Sequence, residues 1–188
     1  MRLAMHLKRL AYAAPLLAGL GFLGVQQWTG NIHTVIEHRL YRSGTLGPTE
    51  FESLLQKEGI RTVINLRGPH VGTPWYDEER AVAERRGAHL VDLSWSAGRA
   101  LNDDMVAAFY KAVENAEGPI LIHCMSGSDR TGLAVALYMA KFAGAGELAA
   151  EEQLSIRYGH FAVPFLSRAY AMNETFERLE PSLGFYGS

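Results

Sequence analysis

Residues 123–132 read His-Cys-Met-Ser-Gly-Ser-Asp-Arg-Thr-Gly. Cys124 is the only cysteine of the chain, so it has no intrachain disulfide partner. It follows the wholly apolar run 120–122, which reads as a central strand of a parallel sheet. After five intervening residues, Arg130 opens a helix. A loop of that length can curl until its backbone N–H groups point inward. Together with the helix N-terminus, those donors make an anion site. The same positive field favours the thiolate, which is the nucleophilic form of cysteine. Gly127 permits the backbone angle such a curl needs. Arg130 offers a planar fork for two phosphate oxygens. A thiolate at Cys124 would then lie beneath the phosphorus, in line for displacement. This chemistry calls for no metal and no cofactor.

The segment resembles the signature of the cysteine-dependent protein tyrosine and dual-specificity phosphatases, His-Cys-x5-Arg-[Ser/Thr]. Tyr41-Arg42-Ser43-Gly44 and Val63-Ile64-Asn65-Leu66-Arg67 look like the early strands of the compact, atypical members found in bacteria and fungi. The resemblance spans residues 40–159. It implies hydrolysis of phosphomonoesters through a cysteinyl-phosphate intermediate. It also implies roles: Cys124 as nucleophile and Arg130 as phosphate ligand. Met125, Ser126, Gly127, Ser128 and Asp129 would form the rest of the phosphate cradle, with Ser126 and Ser128 contributing backbone donors. Thr131 would tune the thiolate, and His123 would support the loop from behind. A buried core cysteine beside a helix-capping loop is the plainer alternative. The matching His, Cys, Gly, Arg and Thr at one spacing outweigh it.

The general acid is the irregular part. Cleavage through a cysteine needs a group that protonates the leaving oxygen and then activates water. In the family an aspartate on a loop before the signature usually supplies it. The matching stretch here, Ser94-Trp95-Ser96-Ala97-Gly98-Arg99, holds no acid. Asp129, inside the signature, is the leading candidate. That pattern is similar to myotubularin-type lipid phosphatases and some broad-specificity bacterial enzymes. Asp92, Asp103 and Asp104 are the other candidates, and a reaction with no dedicated acid stays open. Arg67 and Arg99 are candidates for substrate contact, and Trp95 for a pocket wall. His160 and Phe161 read as packing residues, and 77–86 as a solvated helix face.

These residues need a scaffold. Strands at 40–43, 62–66, 89–93 and 120–122 alternate with helices at 49–58, 76–86, 102–116 and 131–143. Helices at 147–158 and after Pro164 to Leu179 complete the chain. Alternation of this kind predicts an α/β fold with a central, mostly parallel sheet flanked by helices. Ligands of such sheets bind beyond the carboxyl ends of the strands, where Cys124 falls.

The first residues read differently. Residues 10–25 carry no charge and follow Arg2, Lys8 and Arg9. The expectation is an N-terminal hydrophobic helix over residues 1–28, acting as a signal-anchor that spans a membrane once. A cleaved signal peptide and a buried helix are the alternatives. A linker at 29–39 and a phosphatase domain at 40–188 would follow, with the domain outside the cytoplasm, in the periplasm of a Gram-negative cell. Eighteen Lys and Arg against twenty Asp and Glu give a net charge of −2, so a nucleic-acid partner is not expected. The expected partner is a phosphorylated protein or a phospholipid headgroup. A phosphate-binding module without turnover and a rhodanese-like sulfurtransferase are the competing functions.

Overall fold

The structure is a computed structural model. It describes residues 19, 21–22, 24–26 and 28–186. Five strands form one mixed sheet: β1 (His33–Ile36), β2 (Leu40–Ser43), β3 (Thr62–Asn65), β4 (His89–Asp92) and β5 (Ile120–His123), in the order β1-β2-β5-β3-β4. β1 is antiparallel to β2, and the remaining pairings are parallel. The expected α/β class therefore holds. The edge strand β1 lies within the stretch expected to be linker.

Alternation along the strands splits the core into two layers. Ile64, Ile120 and Ile122 face one side of the sheet, against α3 (Asp103–Glu114), α4 (Asp129–Lys141) and α6 (Tyr170–Leu183). Val63 and Leu121 face the other side, against α1 (Pro48–Glu58) and α2 (Pro74–Arg86). A strand buried on both faces must be apolar throughout, as residues 120–122 are.

Several local readings need correction. Residues 147–158 do not form one helix. A short α5 (Glu147–Glu151) gives way to two 3-10 turns, Glu152–Leu154 and Ile156–Tyr158. Ser155 is extended between them, and the Gln153 carbonyl accepts from Arg42 Nη1 at 3.1 Å instead of continuing a helix. α6 starts at Tyr170, later than Pro164 suggested. The face at 77–86 is not wholly solvated, because Glu79 is buried.

The membrane-anchored, extracytoplasmic placement is also corrected. Among the described residues no helix is long and apolar enough to cross a membrane. Most of the apolar run lies outside the described residues. Just after that run, Gln26 Nε2 donates to the Arg157 carbonyl at 2.5 Å, and the Asn31 backbone N–H donates to the Gln26 carbonyl at 2.9 Å.

Candidate active site

The parallel register brings three strand ends to one edge. His123, the last residue of β5, lies between Ser43 of β2 and Asn65 of β3. The loops that leave these strands therefore start side by side, carrying Gly44 and Thr45, Cys124, and Leu66 and Arg67. Cys124 is buried at the base of the edge, and Met125 is exposed beside it.

The carbonyls of the loop after Cys124 are all held from outside it. The Cys124 carbonyl accepts from Thr45 Oγ1 at 3.1 Å, and that of Met125 from the Thr45 amide at 3.1 Å. The Ser126 carbonyl accepts from Asn31 Nδ2 at 3.0 Å, and that of Gly127 from Arg42 Nη2 at 2.9 Å. The Ser128 carbonyl accepts from the Gly132 amide at 2.6 Å. In a planar trans peptide the N–H points away from the preceding C=O. Carbonyls fixed outward therefore turn the amides of Met125, Ser126, Gly127 and Ser128 inward. Among the described residues those amides have no backbone acceptor. They converge at the N-terminus of α4, whose dipole adds to the positive field. The curl needs Gly127, which has φ +74°. A Cβ there would lie 2.7 Å from the Gly44 amide nitrogen and the Ser43 carbonyl carbon.

Arg130 sits in the first turn of α4. Its Nη1 rests between the carbonyls of Leu66 and Trp95, 3.3 Å from each. Arg42 lies wholly inside the protein, stacked 3.8 Å over the Tyr158 ring. Burial pulls it down to about 10, so it remains a cation at neutral pH. Arg67 stacks on Trp75 at 3.4 Å and donates to Thr45 Oγ1 at 2.8 Å. Burial lowers its pKa, and the positive charge of Arg130 lowers it further. Ser126 Oγ and Ser128 Oγ share a hydrogen at 2.7 Å. Thr131 is wholly buried, and its hydroxyl has no hydrogen-bond partner among the described residues. His123 Nε2 comes within 3.2 Å of Glu79 Oε1 behind the loop, outside hydrogen-bond geometry.

The carboxylates separate by location. Asp92 is committed to scaffolding: Oδ1 accepts from Asn65 Nδ2 at 2.7 Å and Oδ2 from Tyr76 at 2.5 Å. Asp103 is exposed and paired with Arg178 at 2.6 Å, and Asp104 is exposed in the first turn of α3. Asp129 lies in the cradle itself, with Oδ1 2.7 Å from His160 Nδ1. A cavity of about 410 Å³ adjoins Trp95 and is lined by Arg67, Ser94, Trp95, Ser96, Arg99, Ala100, Asn102 and Met105. It brings Arg67, Arg99 and Trp95 together, and its lining holds no carboxylate.

Sequence reasoning missed Asn31, Thr45, Arg42 and Glu79. Asn31 stands in an expected linker, where no sequence pattern singles it out; the structure gives it a positive φ of 50°. Glu79 was findable: three residues after Tyr76 and three before Val82, it falls on the buried stripe of α2. His160 reads as a packing residue in the sequence, whereas in the structure its Nδ1 lies against Asp129 Oδ1.

Comparison with known proteins agrees with this geometry. Residues 45–175 match the model of the family described as PTP-SAK: Swiss Army Knife protein, DSP-PTPase phosphatase domain. The chain belongs to that family. Over 117 residues it is 32% identical to the dual specificity protein phosphatase TpbA of Pseudomonas aeruginosa, covering 61% of this chain and 49% of that protein. Over 95 residues it is 34% identical to a beta-lactamase hydrolase-like protein of Xylella fastidiosa, covering 50% of this chain and 22% of that one. The match thus spans half or less of these relatives' lengths. The crystal structure of P. aeruginosa TpbA shares the fold, with a TM-score of 0.60 at 23% identity, over 83% of this chain and 92% of that one. A further TpbA structure is a complex with pTyr. The family model and the relatives support a cysteine-based phosphatase domain, and the solved structures share its fold.

Proposed function

We propose that this protein hydrolyses phosphomonoesters through a cysteinyl-phosphate intermediate, with phosphotyrosine and other phosphorylated side chains of proteins as substrates. One observation carries the reading: the outward-held carbonyls of residues 124–128 turn a ring of amides toward the space beside Cys124. Amides so arranged, with Arg130, meet the charge of a bound phosphoryl group. Cys124 Sγ attacks phosphorus and forms the S–P bond. The P–O bond breaks, and its electron pair leaves with the substrate oxygen, which takes a proton from Asp129. Water then attacks the phosphocysteine and gives a proton to Asp129. The S–P bond breaks toward sulfur, restoring the thiolate and releasing phosphate. His123, Thr131, Met125, Ser126, Gly127 and Ser128 shape and hold the cradle in this scheme. The pTyr held by TpbA and the aromatic wall at Trp95 favour an aryl phosphate. The second reading, a phospholipid headgroup, draws on Arg67 and Arg99 in the adjoining cavity.

The test is hydrolysis of a phosphotyrosine peptide and of p-nitrophenyl phosphate in chelator, by wild type and Cys124→Ser. Wild type should turn over both and leave a trappable phosphoenzyme. Cys124→Ser should lose about three orders of magnitude or more while still binding the peptide. Binding without turnover by wild type would leave a phosphate-binding module. Turnover of thiosulfate instead would indicate a sulfurtransferase.

A further inference from the structure

His160 is fixed at both ring nitrogens. Nδ1 lies 2.7 Å from Asp129 Oδ1, and Nε2 lies 2.8 Å from Asn173 Oδ1. The residue is buried, and its amide donates to the Ser155 carbonyl at 3.2 Å. Gly159, just before it, has φ +80° and turns the chain inward after the second 3-10 turn. Three separate segments thus meet in one line: Asn173 of α6, the imidazole, and Asp129 in the first turn of α4.

A packing role needs only volume, whereas this ring spends both of its polar atoms on partners. Its bond fixes Oδ1 of the only carboxylate in the phosphate cradle. Oδ2 is then the oxygen left to face a leaving group or a water. With the amide oxygen of Asn173 at Nε2, that nitrogen is the donor. A carboxyl that must alternately give and take a proton benefits from such a neighbour. Its orientation is set before the substrate arrives, so little rotational entropy is lost at the moment of reaction.

We infer that His160, braced by Asn173, is the positioning residue for Asp129, and that together they replace the acid missing from the loop at 94–99. The inference rests on the reading of Asp129 as the acid–base group. His160 itself touches no substrate and acts through that carboxyl.

The test uses the full chain as wild type, Asp129→Asn, His160→Ala, Asn173→Ala and the two double variants with Asp129→Asn. Each is assayed on p-nitrophenyl phosphate, whose leaving group departs without a proton, and on phenyl phosphate, whose leaving group needs one. His160→Ala should lower kcat/KM on phenyl phosphate about tenfold and barely change kcat/KM on p-nitrophenyl phosphate, because the water step in which Asp129 also takes a proton lies outside kcat/KM. Asn173→Ala should follow the same pattern more weakly. Neither should add to the loss in Asp129→Asn. If thermal melts show that His160→Ala does not fold, Asn173→Ala and its double variant carry the comparison. Equal losses on both substrates, or losses that add to Asp129→Asn, would overturn the inference. Should Asp129→Asn show the leaving-group pattern while His160→Ala and Asn173→Ala do not, the positioning role fails and the acid stands. Should Asp129→Asn treat both substrates alike, the acid reading fails, and this inference with it.

Discussion

Arg42, on an interior strand, donates from Nη2 to the carbonyl of Gly127 at 2.9 Å. That single bond fixes the direction of the next peptide and so aims the Ser128 amide into the cradle. The same guanidinium reaches Gln153 through both its carbonyl and its side-chain Oε1, at 3.1 and 2.8 Å, and stacks on Tyr158. It therefore ties the phosphate loop to the 3-10 turns behind it. Arg42→Ala should cost about 3 kcal/mol of stability, since it leaves several buried acceptors unpaired. It should also weaken phosphate binding, because the loop loses a brace. Urea unfolding and phosphate titration check the two effects. Unchanged phosphate affinity in a folded variant would mean the loop holds its shape without Arg42.

Gly127 tests the cradle from the other side. At φ +74° a side chain is strained by about 1–2 kcal/mol, and its Cβ would press on the backbone of Ser43 and Gly44. Backbone cannot give way as a flexible side-chain tip can. Gly127→Ala should therefore distort the amide ring and lower kcat/KM on the order of a hundredfold. Only the last residue of β2 is pressed and both cores lie elsewhere, so the circular-dichroism spectrum should hardly change. Near-normal kcat/KM would show that the curl tolerates another backbone path.

The strand–loop–helix at 120–141 was legible in the sequence because it is encoded locally. An apolar run, one glycine and a helix start at fixed spacing suffice to define it. The braces were not legible, because each crosses a long stretch of chain. Arg42 and Gly127 are 85 residues apart, and Asn31 and Ser126 are 95 apart. No local pattern links such pairs; the register of β2 against β5 does. The same holds for His160, which reads alone as an apolar neighbour of Phe161 until α6 brings Asn173 to it. The absent loop acid was visible from composition alone, and the cavity lining agrees with it. The hydrophobic first residues suggest a span by length and lack of charge, whereas among the described residues no helix is long and apolar enough to cross a membrane.

Tyr76 and Asp92 predict an alkaline sensitivity. Burial and the hydrogen bond to Asp92 push Tyr76 up to about 12. In the unfolded chain a tyrosine ionises near 10. Between these values the unfolded state gives up its proton while the folded state keeps it, so stability falls as pH rises. The contribution is complete below about pH 10 and is lost on passing about pH 12. Tyr76→Phe should cost about 1 kcal/mol at neutral pH and flatten this alkaline slope. Thermal melts from pH 8 to 11 read both. An unchanged slope in Tyr76→Phe would assign the alkaline loss to other groups, such as Tyr41, which is also raised by burial.

Arg99 decides between the two substrate readings. It is exposed on the cavity that Arg67 also lines, and that lining carries no carboxylate to neutralise either charge. Arg67 is already engaged by Thr45 and Trp75, which leaves Arg99 as the more adaptable cation. A substrate with a second negative group beside its phosphate would gain from it. The screened, exposed position limits that gain. Arg99→Ala should raise KM about threefold to tenfold for a phosphotyrosine peptide with acidic neighbours, with kcat unchanged. The KM for p-nitrophenyl phosphate, which carries no second charge, should stay the same. Steady-state kinetics on the two substrates, with a soluble inositol bisphosphate as a third, make the comparison. A KM effect confined to the inositol compound would favour a headgroup substrate. Equal KM values for wild type and Arg99→Ala on all three would remove Arg99 from substrate recognition.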